Sequence, residues 1–389
     1  MRGLRRPVAY RKGEFVPTLR MLSAAQGPGG HGGEVFSCTY TPDGSQVLSG
    51  GWDGHLRLWE AGSGTQLTSF KAADKAISAC AISPDNSRWL SGGLDGMLAH
   101  WEPTTQKRQS VFLAHTRPIS AIVFDVDGQT LATSSWDRSL ALWRNNRERD
   151  NRQLSGHLDI VAGCHFTPDG KTLLSWSHDG SLRLWETTHG RQSGQLAGHQ
   201  HRVTAGAVSP DGRSAASAAR DGSLRFWELG TLRELACTGV SHEVRSLFFL
   251  LDGESLVSVQ ANGRVAMHSV PELKEQGELN VRLPLQCGAL APGGAQIALG
   301  CDDGKVRFVA IDGIEDSAFL ITPTRTSQRT TTVLGRLFGR SKVEHTFACT
   351  CPACRKSFQV PEANGLKPRL CPNCKRPLRL SAATRVVPE

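Results

Sequence analysis

Long apolar runs are missing from this sequence. The longest, "LFFLL" at 247–251, is cut by Asp252 and is far too short to cross a bilayer. The basic start, "MRGLRRPVAYRKGEFVPTLR", has no apolar stretch behind its arginines and so does not read as a secretory signal. The chain is therefore expected in the cytoplasm, where thiols stay reduced and clustered cysteines favour a metal over disulfides. Cysteine is also scarce through most of the chain, with only six before residue 349. No phosphate loop, paired-acid motif, nucleophile elbow or long amphipathic helix is visible. These absences point away from a membrane partner, a disulfide framework, a small-molecule substrate and a motif-bearing enzyme.

What is present describes a globular chain. Its 389 residues are 39% apolar and 21% charged, enough to bury a sizeable core. The net charge of +9 is uneven. Residues 1–20 hold six basic side chains against Glu14, and residues 322–389 hold thirteen against three acids. The body, 21–321, has 26 basic and 32 acidic residues. Basic ends of this kind suit phosphate-bearing partners, or serve solubility and contact with the acidic body.

The body is periodic. Tryptophans stand at 59, 101, 143, 185 and 227, each 42 residues after the last, and an aspartate lies six residues before each. Asn262 with His268 and Asp303 with Val309 continue the pattern at 41, making seven units. Each unit carries an earlier turn signal as well, such as "TPDGSQVLSG" or "SPDGRSAASA". Asp-Gly turns between short β-prone segments favour tight hairpins, and a fourth strand fits after each tryptophan. Four short strands per ~40–45 residues is one blade of a propeller, so the expected fold is all-β and seven-bladed.

Over residues 31–310 the pattern resembles the WD40-repeat family. That resemblance implies a hydrogen-bonded tetrad in each complete blade. Blade one would use His31, Ser49, Asp53 and Trp59, and blade three His115, Thr133, Asp137 and Trp143. Blade four would use His157, Ser175, Asp179 and Trp185, and blade five His199, Ser217, Asp221 and Trp227. Blade two has Ala73 in the histidine position. Blades six and seven lose both histidine and tryptophan and should be more weakly braced. A Ser, a His and an Asp in each set resemble a catalytic triad only by composition, because a nucleophile would not recur at a fixed period. Cys38, Cys80 and Cys164 share one repeated first-strand position, where a small apolar residue fits; Cys237, Cys287 and Cys301 share no spacing. All six read as core or strand thiols. Closure of the ring falls to 17–23 or to 315–321. The family's usual closure favours the N-terminal stretch, within which Met21 is a second candidate start.

The residue just before each repeating Asp or Asn samples one face of such a ring. These are Trp52, Leu94, Trp136, His178 and Arg220, followed by Ala261 and Asp302. Exposed tryptophan and arginine are enriched where proteins bind one another, so this face is the candidate partner surface. The competing reading folds each ring down against the neighbouring blade.

Past Ile321 the texture changes. Residues 322–346 are rich in Thr and Arg without repeat and read as a flexible basic linker, as the lead 1–16 reads as a disordered basic segment. Then come Cys351-x2-Cys354 and Cys371-x2-Cys374, sixteen residues apart. Two such knuckles complete a tetrahedral Zn²⁺ site, and four thiolates leave no open position for catalytic water. The stretch 347–380 resembles a small zinc ribbon, followed by a tail at 381–389. "KSFQVP" and "PLRLS" read as its strands and Asn364-Gly365 as a turn. About thirty-five residues bury too little to fold unaided, so the ion would supply the missing free energy. Iron suits the same ligands, a redox-active Cys-x-x-Cys is the rival chemistry, and Cys349 is either a bystander or an alternative ligand. The sequence reads as a non-catalytic protein–protein scaffold. The alternative is a nucleic-acid or ribonucleoprotein factor whose basic ribbon contacts phosphates.

Overall fold

The computed structural model describes residues 18–24, 29–144 and 151–312, and beyond them the backbone of seven short strands between 319 and 386. Among the described residues all regular structure is strand, and the expected seven-bladed, all-β ring is what the chain forms. The first blade shows how. Val35–Tyr40, Gln46–Gly51, His55–Glu60 and Gln66–Lys71 pair antiparallel in that order. Its first turn is held by Asp43, whose Oδ1 accepts from Thr41 Oγ1 at 2.6 Å and from the Ser45 N–H at 3.0 Å. The second turn favours glycine. In blade two, Gly96 sits at φ 79°, and a Cβ there would collide with the His115 carbonyl oxygen of the next connection.

The seventh blade is composite. Leu285–Leu290, Gln296–Cys301 and Val306–Asp312 supply three strands, and Thr18–Ala24 from the other end of the chain supplies the outer one. Thr18 pairs with Asp312 and Met21 with Val309. Arg20 adds two bonds to the Asp312 carboxylate, at 2.8 and 3.1 Å.

Each blade buries one face against the next, so the core is a set of layers between blades. Leu48 and Leu56 of blade one pack with Ile77, Trp89 and Trp101 of blade two. At the closure, Val35, Val47 and Trp59 pack with Ala298 and Phe308, and Leu22 covers them. Burying each such side chain contributes about 1.5–3 kcal/mol before the entropic cost of ordering it. Cys80, Cys164, Cys287 and Cys301 are buried and Cys38 half-buried in these layers, whereas Cys237 is exposed on the outer strand Arg233–Gly239. Burial pushes the Cys80 and Cys164 thiols up to about 12, as structural rather than reactive cysteines.

Beyond the ring, Lys342–Thr350 pairs antiparallel with Thr324–Thr330 and with Ser357–Pro361, and Arg369–Leu370 pairs with Pro377–Leu380. Two of these strands begin inside 322–346, the stretch whose composition reads as a linker.

Candidate docking face

The tetrads set the height and tilt of the turns on one face. In blade four, Trp185 Nε1–H donates to Ser175 Oγ at 2.8 Å, and Ser175 Oγ lies 2.8 Å from His157 Nε2. His157 Nδ1 is 2.9 Å from Asp179 Oδ2. A chain of donations satisfies every member: indole to hydroxyl, hydroxyl to Nε2, and Nδ1–H to carboxylate. His31, Ser49, Asp53 and Trp59 repeat these bonds, as do His115, Thr133, Asp137 and Trp143, and His199, Ser217, Asp221 and Trp227. The four hydroxyl residues, Ser49, Thr133, Ser175 and Ser217, are fully buried, so none can meet a substrate as a nucleophile.

Burial alone would raise the Asp179 carboxyl. The bonds from His157, from the Leu158 N–H and from Ser181 outweigh it and hold Asp179 well below the usual carboxylate range. Burial lowers His31 and His199 despite their aspartates, so both are neutral imidazoles at neutral pH. By bonding both the Leu158 N–H and the Ser181 N–H, Asp179 ties the connection into blade four to the turn between its second and third strands.

Departures from the pattern are real but partly repaired. In blade two, with Ala73 in the histidine position, only Trp101 and Ser91 remain bonded, at 2.9 Å. In blade six, His268 takes the tryptophan's place and meets Ser258 at 3.1 Å, while Asn262 meets His242 at 3.0 Å. That blade is better braced than its lost tryptophan suggests. Blade seven has no such network; Asp303 instead pairs with Arg307 through two bonds of 2.8 and 2.7 Å.

Trp52, Leu94, Trp136, His178 and Arg220 occupy successive turns around one mouth of the central channel, a cavity of about 1080 Å³. Each backbone N–H is anchored to the carbonyl that precedes the first strand of its own blade, as Trp136 to Pro118 at 3.0 Å and Arg220 to Arg202 at 2.9 Å. The rings do not fold away: Trp52 is 58% exposed and Trp136 42%. One edge of Trp52 meets Phe36 in a T-shaped contact with centroids 6.0 Å apart. Leu94 and His178 are half-buried. Burial, with the nearby charges of Arg202 and Arg220, lowers His178.

Sequence reasoning missed several neighbours on this face. Leu158, in the connection to blade four, is the most exposed large apolar side chain among the described residues, at 76%. Glu243 binds Arg220 at 2.6 and 3.0 Å and Arg245 at 2.9 Å. A signal for Leu158 existed: it follows a tetrad histidine where the other complete blades place Gly32, Thr116 and Gln200. Cys351, Cys354, Cys371 and Cys374 lie outside the described residues, as does the Asn364-Gly365 turn. Among the described residues no group of three or more His, Cys, Asp or Glu is placed to hold a metal.

Seven four-stranded blades, four of them locked by a Trp–Ser/Thr–His–Asp network, define a repeat propeller of the WD type. Comparison with family models agrees: residues 24–60, 64–102, 106–144, 149–186 and 190–228 match "WD domain, G-beta repeat", so these five segments are WD40 repeats. Each matched segment ends one residue past a repeating tryptophan, at 59, 101, 143, 185 and 227. A search of curated proteins finds no match.

Proposed function

We propose that the chain is a non-catalytic protein-docking scaffold, with the channel mouth bearing Trp52 and Trp136 as its contact face. The observation that carries this is the exposure of two tryptophans on rigidly tethered turns of one face, where neither is needed to fill a core layer. Large aromatics kept in water are costly unless a partner covers them. The test is capture of partners by the full chain and by the Trp52→Ala/Trp136→Ala variant. Partners should be lost while the melting temperature stays near wild type and nuclease changes nothing. A large fall in melting temperature would return both rings to a structural role, and loss of retention on nuclease treatment would favour the nucleic-acid reading.

The second module rests on Cys351, Cys354, Cys371 and Cys374 as ligands of one structural Zn²⁺. Its support is the spacing, together with the strand pairing on either side of each pair. Thr350 faces Ser357 and Leu370 faces Pro377, so each Cys-x2-Cys falls in the connection of an antiparallel hairpin. Four thiolates held in a reducing compartment would stabilise a module too small for a core of its own.

A further inference from the structure

The turn position after the repeating Asp or Asn is glycine in six blades: Gly54, Gly96, Gly180, Gly222, Gly263 and Gly304, all at positive φ. In blade three it is Arg138, held at φ 71°. Arginine in the left-handed region costs stability that glycine would not, and such outliers persist where the side chain is used. Arg138 is exposed and stands two residues after Trp136. Arg117 is exposed in the connection that opens the same blade, and Arg202 in the one that opens blade five. Among the described residues Arg117, Arg138 and Arg202 make no ion pair, whereas Arg220 and Arg245 share Glu243. This face thus combines an apolar arc over blades one to four, from Trp52 to Leu158, with three unpaired guanidinium groups, of which Arg202 lines the channel and Arg117 and Arg138 stand on turns and connections of the same face.

A guanidinium without a partner, close to apolar surface, suits a carboxylate bound through two parallel bonds. A continuous polyphosphate fits less well. Glu34, Asp159 and Glu243 interrupt the cations, and the body as a whole has more acidic than basic residues. Resting on the docking reading above, we propose that this face takes an extended segment of a partner protein in which acidic residues flank a bulky apolar anchor. The anchor lies on the Trp52–Leu94–Trp136 arc, and the carboxylates meet Arg117, Arg138 and Arg202.

The experiment is selection of an unbiased displayed peptide library on the full chain, followed by titration of the enriched peptides. Enriched sequences should carry excess Asp or Glu beside Leu, Phe or Trp, and should weaken as ionic strength rises from about 0.05 to about 0.3 M. Arg202→Glu and Arg138→Gly should each weaken binding about tenfold, as should Trp52→Ala/Trp136→Ala. Arg138→Gly is the discriminating variant: it restores the glycine of the other blades, so the melting temperature should hold or rise while affinity falls. No enriched pool, or a pool without acidic excess, overturns the inference. So does a single-stranded oligouridylate that displaces the peptides at lower concentration. Peptides that need the tryptophans but ignore all three arginines would sink the acidic partner and leave the docking face standing; indifference to the tryptophans as well would sink both.

Discussion

Ser175 is engaged both as acceptor and as donor. Its oxygen accepts from Trp185, its proton is directed at His157, and His157 in turn depends on Asp179 to orient its ring. Removing the carboxylate leaves the buried Nδ1–H of His157 without its acceptor, and frees the Leu158 N–H, which is exposed. Asp179→Ala should therefore cost about 1–3 kcal/mol. Asp302 makes a useful control, because it is half-buried and accepts a single side-chain bond, from Gln286 Nε2 at 2.7 Å. Its loss should cost at most about 1 kcal/mol. Urea midpoints for the two variants measure the difference, and equal shifts would mean that the tetrad does not brace its blade. Cys38 and Cys287 meet at the seam between blades one and seven, sulfur to sulfur at 3.7 Å. Bonding to Cys287 and burial hold the Cys38 thiol well above its usual range, which keeps that thiol protonated.

At the level of the strand, Thr18–Ala24 has the most to lose. Leu19 and Met21 cover the layer between blades six and seven, and Leu22 covers the layer between seven and one. A chain starting at Met21 would lack the pairing of Thr18, Leu19 and Arg20 and the Arg20–Asp312 ion pair. The ion pair is exposed and contributes little, but Leu19 leaves an apolar layer uncovered. Thermal unfolding should fall modestly for a Met21 start and steeply for removal of residues 1–24, with proteolysis of the second variant beginning in the last blade. Equal stability of all three forms would show that the outer strand is dispensable. The contrast explains what could be read in advance. Tetrad partners lie 10, 18 and 22 residues apart within one hairpin unit, so spacing alone brings His157, Ser175, Asp179 and Trp185 together. The closing strand pairs across 292 residues, where no local period reaches. The turn tryptophans were legible for the tetrads' reason, since each precedes a repeating aspartate. Arg117 and Arg202 were not, because the repeat fixes the histidine of each connection and leaves the residues after it free.

For the molecule as a whole, the ring and the cysteine-rich end should respond differently to one reagent. The ring holds itself by layers between neighbouring blades and should unfold independently of any ion. The end region, on the reading proposed, folds only with its metal. Freshly purified, reduced protein should carry one zinc per chain, and serine at Cys351, Cys354, Cys371 or Cys374 should remove it, whereas Cys349→Ser should not. A chelator should abolish the zinc signal and leave the main unfolding transition in place. Metal content near zero would end the zinc reading, and loss of the main transition would show that the ring depends on it. The composite seventh blade also bears on how the protein is made. Its outer strand leaves the ribosome before the rest of the ring and its partner, ending at Asp312, after it, an interval on the order of 15–60 s at ordinary synthesis rates. For that time Leu19, Met21 and Leu22 have no layer to cover, and any message that stops short of Asp312 yields an open chain with a sticky first strand. Closure then reports that translation has passed Asp312, and cellular quality control has an apolar handle on every copy that stops before it.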